Sequence, residues 1–179
     1  MPFRPLRQAL GRSPLLDSLG QAHRLYANGQ PREAALLLAQ LAQTMENAGH
    51  PRRAANLHAQ AAHAFADGGD GQAALAQAHA ALKQFLQFAM AGRAPVFYAN
   101  ITRKLRAKGM AAAAGALESE FGPSLGASVR RMATGSPPAA RLPGKCPQCG
   151  GPLRSDEVNW IDAQGAECPY CGSVVQAGG

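Results

Sequence analysis

The stretch AHRLYANGQPREA at residues 22–34 decides the fold, because its small and apolar positions recur 40 residues later. Residues 62–74, AHAFADGGDGQAA, keep an alanine, a large apolar residue, a glycine and a further alanine at the same places. Leu105, Gly109 and Ala114 occupy these places a third time. In each copy an apolar segment ends at a glycine and another helical segment follows. The first two thirds of the chain is therefore predicted to be a repeat of helical hairpins.

Glycine and proline divide this part of the chain into six predicted helices. Gly29 and Gly49 are followed two residues later by Pro31 and Pro51. Glycine just past one helix and proline at the start of the next is the expected asymmetry. Apolar residues recur between these breaks at intervals of three and four, as in an amphipathic helix. The predicted helices span residues 14–28, 31–48, 51–67, 71–90, 95–108 and 110–121.

The composition favours the same fold class. Of the 179 residues, 38 are alanine and only 6% are aromatic. Alanine is the best intrinsic helix former and loses no side-chain entropy on folding, so an all-β domain is excluded for this part. The length allows one domain of ordinary size and a small appendage. The predicted fold class is mainly α with a small β unit.

The repeated positions resemble the tetratricopeptide family over about residues 14–121. The following residues match the small or apolar positions of that motif: Ala22, Leu25, Gly29, Ala34, Leu38 and Leu41, then Ala62, Phe65, Gly69, Ala74, Ala78 and Ala81. The resemblance implies a stack of about three helical hairpins. The spacing of 40 exceeds the ~34 residues of that family, and Glu118 replaces an apolar residue, as in a capping helix. An irregular six-helix bundle is the alternative.

The resemblance implies a concave, peptide-binding face made by the first helix of each hairpin. On this chain the predicted groove includes Leu19, His23, Tyr26, Asn56, His63, Arg103 and Arg106. Because arginine can fork a carboxylate, the predicted partner is another protein, bound through an acidic or C-terminal peptide segment. Alternatively, Arg103 and Arg106 only offset the dipole at a helix C-terminus, without any partner.

Residues 122–145 are rich in Gly, Pro, Ser and Ala, and they carry four Lys or Arg and no acid. We found no periodic apolar face in this stretch, so it is predicted to be a flexible basic linker. The predicted organisation is an N-terminal tail at residues 1–13, a helical domain at 14–121, the linker, and a small C-terminal unit at 146–179.

All four cysteines lie in the C-terminal unit, in two Cys-x-x-Cys pairs separated by 18 residues. The glycine after each pair tolerates the positive φ that aims backbone N–H groups at the sulfurs. Four thiolates suit one structural Zn²⁺ with no open coordination position. A rubredoxin-like iron site and a redox dithiol are the alternatives. The predicted zinc ligands are Cys146, Cys149, Cys168 and Cys171.

This part of the chain resembles the zinc-ribbon family over residues 144–176. A strand is predicted at residues 158–161, a turn at 162–165 and a second strand at 174–175. A segment of this size cannot bury enough surface to fold unaided, so metal binding is expected to supply folding free energy.

Charge is divided unevenly along the chain. Residues 1–121 carry 13 Lys and Arg against 7 Asp and Glu, whereas residues 146–179 carry Arg154 alone against 4 acids. We therefore expect the acidic ribbon to dock on the basic third hairpin near Arg103 and Arg106. Nucleic-acid or ribosome binding through the basic body and linker is the alternative function, but the acidic ribbon is unsuited to phosphate contacts.

The sequence contains no P-loop, no zinc-protease motif and no nucleophile elbow, so a non-enzymatic adaptor that mediates protein–protein interaction is the predicted function. Trp160 and Tyr170 are predicted ribbon contacts, since aromatic residues dominate interface energetics, although Trp160 can equally pack over its own hairpin. No apolar run is long enough to cross a membrane, and the cysteine usage suits a reducing compartment. A cytoplasmic protein without a membrane partner is expected.

Overall fold

A computed structural model of the chain describes residues 14–88, 90, 93–133, 141–147, 150–155, 158–160, 164–168 and 174–178. The chain is mainly helical, as its composition predicted. The helices are α1 (Pro14–Ala27), α2 (Pro31–Asn47), α3 (Pro51–Asp67), α4 (Gly71–Gln87), α5 (Arg93–Ala107) and α6 (Ala111–Ala133). The predicted bounds of α1 to α5 lie within three residues of the observed ones.

Each of the first five helices ends with the same type of backbone hydrogen bond, and this bond recurs every 20 residues. At each end a backbone N–H just past the helix donates to a carbonyl five residues earlier, as in a Schellman motif. These bonds measure 2.8–3.0 Å and join Gln30 to Leu25, His50 to Met45, Asp70 to Phe65, Met90 to Phe85 and Met110 to Leu105. Gly69 and Gly109 precede two of these donors with φ of 82° and 78°. Side chains rarely adopt such angles, so glycine terminates these helices.

The helix starts follow the expected signals. Pro31 and Pro51 are the first residues of α2 and α3, where the missing N–H costs no hydrogen bond. Asp70 caps α4, because its Oδ1 accepts a hydrogen bond from the backbone N–H of Ala73 at 3.0 Å. Aspartate is among the preferred N-cap residues because its side chain can accept such a bond.

Alanine and a few large side chains make the core. Each helix packs on the next along the chain, and α3 also contacts α5 while α4 contacts α6. Buried alanines such as Ala61 and Ala78 let the helices approach closely, and larger side chains fill the remaining space. The largest fully buried side chains among the helices are Leu19, Leu57, Leu82, Phe85, Ile101, Leu105 and Leu117. None of the helices that the structure describes is long and apolar enough to cross a membrane.

The predicted linker begins too early. Helix α6 continues through Pro123 to Ala133, although the sequence placed the end of this helix at residue 121. An apolar face was overlooked, because side chains that pack on the core continue at intervals of four past the predicted boundary. They are Leu117, Phe121, Leu125 and Val129. Their burial offsets the backbone hydrogen bond that Pro123 cannot donate.

A C-terminal module follows at residues 141–178. Its strands β1 (Asn159–Trp160), β2 (Gly165–Glu167) and β3 (Val174–Gln176) form one antiparallel sheet in that order. Strands β1 and β3 lie where the sequence predicted them. A bridge between Lys145 and Pro152 and another between Arg141 and Gly178 extend the pairing beyond the sheet.

Candidate functional site

A cavity of about 690 Å³ lies between the helices and the C-terminal module. We call this cavity the chamber. Its helical wall is formed by one face each of α1, α3 and α5, and its module wall by residues between Lys145 and Val158. The volume falls within the ~300–1,000 Å³ of typical ligand-binding clefts. The first, third and fifth helices therefore share one concave surface, which the module covers in part.

Four of the predicted groove residues line the chamber. They are His23, Tyr26, Asn56 and His63, which lie on α1 and α3. His23 and His63, which the 40-residue alignment places at equivalent positions, both lie on this cavity.

Three predicted groove residues lie elsewhere. Leu19 is fully buried in the helical core. Arg103 donates from Nη2 to Asn100 Oδ1 at 2.6 Å, and it lies about 100° around α5 from Lys104, which does line the chamber. The prediction placed the chamber face of α5 one residue too early.

Arg106 is engaged by α6. Its guanidinium donates to both carboxylate oxygens of Glu118, with Nε to Oε1 at 2.9 Å. The hydrogen bond from Arg106 lowers the pKa of Glu118. Glu118 thus pairs with Arg106, and Arg106 does not line the chamber.

Three residues of α3 that line the chamber carry buried polar atoms without hydrogen-bond partners in the part of the chain that the structure describes. They are Oδ1 of Asn56, both amide atoms of Gln60 and Nδ1 of His63. Asn56 is only 5% exposed. A buried acceptor without a partner costs about 1–3 kcal/mol, so this row is destabilising unless a ligand or water completes it.

The sequence did not identify Gln60 as a groove residue. Gln60 follows Asn56 by four residues, and residues four apart share one face of a helix. The four-residue spacing was therefore sufficient to place Gln60 on the same helix face as Asn56. The alignment of equivalent repeat positions identified only Asn56 and His63.

His63 is held in its neutral form. Its pKa is lowered to about 3, mainly by burial and also by the Lys104 charge, while Asp67 acts in the opposite direction. Arg154 of the module also lowers this pKa, so cations from both walls lie near one imidazole. The ring edge packs against Phe97 at 5.4 Å between centroids.

Asp67 joins α1, α3 and α5 at one end of the chamber. Its carboxylate accepts hydrogen bonds from Lys104 Nζ at 2.6 Å and from the Tyr26 hydroxyl, and Lys108 Nζ lies 3.4 Å away. Burial raises the pKa of Asp67, but the Lys104 and Tyr26 hydrogen bonds and the lysine charges outweigh it, so the pKa is lowered. The sequence predicted only a helix end at this residue.

The chamber lining is cationic. Among the residues that the structure describes, the charged side chains on its surface are Asp17 against Arg24, Arg93, Lys104, Lys145 and Arg154. This excess of positive charge suits an anionic group.

Two of the four predicted zinc ligands come together in the module. Cys146 and Cys168 are 2% and 0% exposed and belong to one buried apolar cluster with Val175. The backbone N–H of Gly150 donates to the Cys146 carbonyl at 2.9 Å, and Gly150 has φ of 74°, which confirms the predicted positive φ after the first pair.

The other two predicted ligands, Cys149 and Cys171, lie outside the described residues. Within the described ranges, no three His, Cys, Asp or Glu side chains converge on one point. Two of the four thiolates that are expected to bind the metal, those of Cys149 and Cys171, are therefore not described by the structure.

The module contacts α1. Leu16 packs against the cluster that contains Cys146 and Cys168. The sequence predicted docking near Arg103 and Arg106, but neither residue lines the chamber, and an apolar contact at Leu16 marks the position of the module instead. The side chains of Trp160 and Tyr170 are not among those described, so their role as ribbon contacts stays a prediction.

No known family model matches the chain, and neither a curated protein nor a solved structure with significant similarity to it was found.

Proposed function

We propose that this protein is a non-enzymatic adaptor that holds an acidic or carboxylate-terminated segment of another protein in the chamber. The observation that carries this proposal is the row of unpartnered polar atoms on Asn56, Gln60 and His63. Amide and imidazole groups donate and accept hydrogen bonds, and a peptide backbone and carboxylate offer both kinds of partner. The cationic lining supplies the charge preference.

A tetratricopeptide-like stack accounts for the position of this site. Helix ends that recur every 20 residues agree with hairpins of 40 residues, and the contacts of α3 with α5 and of α4 with α6 agree with stacked hairpins. In such a stack the first helices of the hairpins share a concave surface. This surface is the one that α1, α3 and α5 present to the chamber.

We further propose that Cys146, Cys149, Cys168 and Cys171 hold one structural Zn²⁺ in a ribbon. The burial of Cys146 and Cys168 in one cluster supports this proposal, since it draws both Cys-x-x-Cys motifs toward one centre. Zinc bound by four thiolates supplies folding free energy and leaves no position for a substrate.

Peptide binding to the zinc-loaded full-length protein tests the adaptor function. Fluorescence anisotropy compares a labelled acidic octapeptide with a free terminal carboxylate, a lysine-rich octapeptide and a single-stranded DNA of about 20 nucleotides. The acidic peptide is expected to bind best, and its affinity is expected to fall as salt is raised. Preferential binding of DNA would support nucleic-acid recognition instead, and equal binding of both peptides would contradict the proposal.

Asn56→Ala separates a ligand-binding role from a structural one. The change removes a buried acceptor without a partner, so the free energy of unfolding is expected to stay unchanged or to rise, whereas peptide affinity falls about tenfold. Asn47→Ala is the matched control, because Asn47 is exposed at the end of α2 and contacts Gln43. A large loss of stability in Asn56→Ala with unchanged peptide affinity would assign Asn56 to the core alone.

A further inference from the structure

The C-terminal module supplies one wall of the chamber. Lys145, Cys146 and Arg154 face the same cavity as Asn56 and His63 of α3. The chamber therefore exists only where the module lies against the helices.

The charges on the two walls have the same sign. Lys104 and Arg93 line the helical wall, and Lys145 and Arg154 line the module wall. Arg154 is the only cation of residues 146–179, against four acids, yet it lies on the chamber side of the module.

Like charges that face each other across a cavity repel, and the repulsion is stronger in a partly buried space than in water. Asp67 offsets part of the charge of Lys104 through the 2.6 Å contact, but it does not line the chamber. Among the described lining residues, Asp17 alone carries negative charge. An anion between the two walls would be attracted by the cations of both.

We infer that the chamber is a two-walled anion site. Arg154 and Lys145 of the module and Lys104 of α5 hold a carboxylate between them. Asn56 and Gln60 form hydrogen bonds with the group that carries this carboxylate. The module is then part of the binding site and does not act as a competitor for the groove. The inference rests on the proposed function only in taking the ligand to be a peptide. A free dicarboxylate offers the same charged groups to the site.

Two charge reversals of equal size test the site. Arg154→Glu is expected to weaken binding of the labelled acidic octapeptide at least about tenfold. Arg103→Glu is the matched control, since Arg103 carries the same charge and lies outside the chamber; it is expected to change affinity less than about twofold. Zinc content and far-ultraviolet circular dichroism verify the fold, and Arg154→Gln replaces Arg154→Glu if the reversal causes loss of zinc.

A second titration uses free succinate, with sodium chloride at equal ionic strength as control, and follows the thermal midpoint. Succinate is expected to stabilise the wild-type protein and to have no effect on Arg154→Gln. If the peptide binds wild type and both arginine variants equally, the two-walled site is wrong and the adaptor proposal stands. If succinate acts through Arg154 but the peptide does not bind, the site is supported and the adaptor proposal fails. If neither ligand binds, both fail.

Discussion

Lys104 Nζ lies 2.6 Å from Asp67 Oδ2 and so joins α5 to α3, 37 residues apart in sequence. The same carboxylate accepts a hydrogen bond from the Tyr26 hydroxyl. Helices α1, α3 and α5 thus meet at one acid beside the chamber. Because this contact fixes Lys104, it also fixes one of the cations that line the helical wall.

Asp67→Asn is expected to destabilise the protein by about 1–2 kcal/mol at neutral pH, because hydrogen bonds to a charged acceptor are among the stronger ones. The lowered pKa of Asp67 gives a pH signature as well. Its contribution is fully present above the unfolded-state pKa of about 3.9 and is lost as the pH falls through the lower folded-state value. Chemical denaturation at several pH values measures both effects.

Asp70→Asn is the control for this change. Asp70 lies three residues away and acts mainly as the N-cap of α4, and asparagine caps a helix as well as aspartate does. A loss below about 0.5 kcal/mol is expected. Equal losses in the two variants would show that the ion pair with Lys104 adds nothing to stability.

His63 is expected to remain neutral well below pH 6. Its pKa is lowered to about 3, whereas an unfolded histidine titrates near 6.5. The unfolded state therefore binds one more proton between these values, and stability decreases by about 1.4 kcal/mol per unit as the pH falls through this window. The ring Cε1–H signal, assigned by comparison with His63→Gln, reports the titration directly.

A bound carboxylate favours the charged imidazole, so succinate is expected to raise the midpoint of the His63 titration. A midpoint near 6.5 in the free protein would contradict the burial of this ring between Lys104 and Phe97.

Gly69→Ala is expected to cost about 1–2 kcal/mol, because Gly69 ends α3 with φ of 82° and a side chain is strained in this region. Gly115→Ala is the matched control within α6, where an added Cβ meets no heavy atom within 4 Å. That change is expected to stabilise the protein by about 0.5–1 kcal/mol, since alanine favours the helix. Thermal unfolding measures both changes, and a Gly69→Ala protein as stable as the wild type would contradict the assigned end of α3.

Metal analysis of the purified protein is expected to find one zinc per chain. Cys146→Ser and Cys168→Ser should each lower the zinc content, and a chelator should unfold the module while the helical circular dichroism persists. Asp70→Asn, far from the cysteines in sequence, is expected to keep its zinc. Stoichiometric iron, or protein without metal, would contradict the assignment.

Several features of the fold were predictable because their causes are local. Glycine followed by proline, with apolar residues at helical spacing, located α1 to α5 within three residues. The end of α6 was missed because residues 122–145 are rich in Gly, Pro, Ser and Ala, and this composition obscured the helical spacing of Leu125 and Val129. Local signals alone did not show that these side chains have the core to pack against.

The chamber was predictable in part. Repeat alignment identified His23, Tyr26, Asn56 and His63, but it assigned Leu19 and Arg103 to the groove and missed Gln60 and Lys104. A rotation of about 100° per residue separates a cavity-lining position from its neighbour, so small errors in helix orientation change which cation faces the cavity.

A buried polar cluster was also beyond prediction. His58 on α3 contacts Glu46 Oε1 at 3.1 Å and Gln77 Oε1 at 2.6 Å. These partners belong to α2 and α4, and nothing in the spacing of the sequence pairs them. The cluster depends on how three helices pack together.

By itself the sequence determined helices α1 to α5 and their ends, and it placed four cysteines at the spacing of a metal site, because backbone propensity and motif spacing act over a few residues. Tertiary structure decided that Lys104 rather than Arg103 faces the chamber, that Leu16 receives the module, and that Arg154 lies near His63. These relationships depend on side chains far apart in the chain, whose proximity is set by the packing of whole helices and of the module against them.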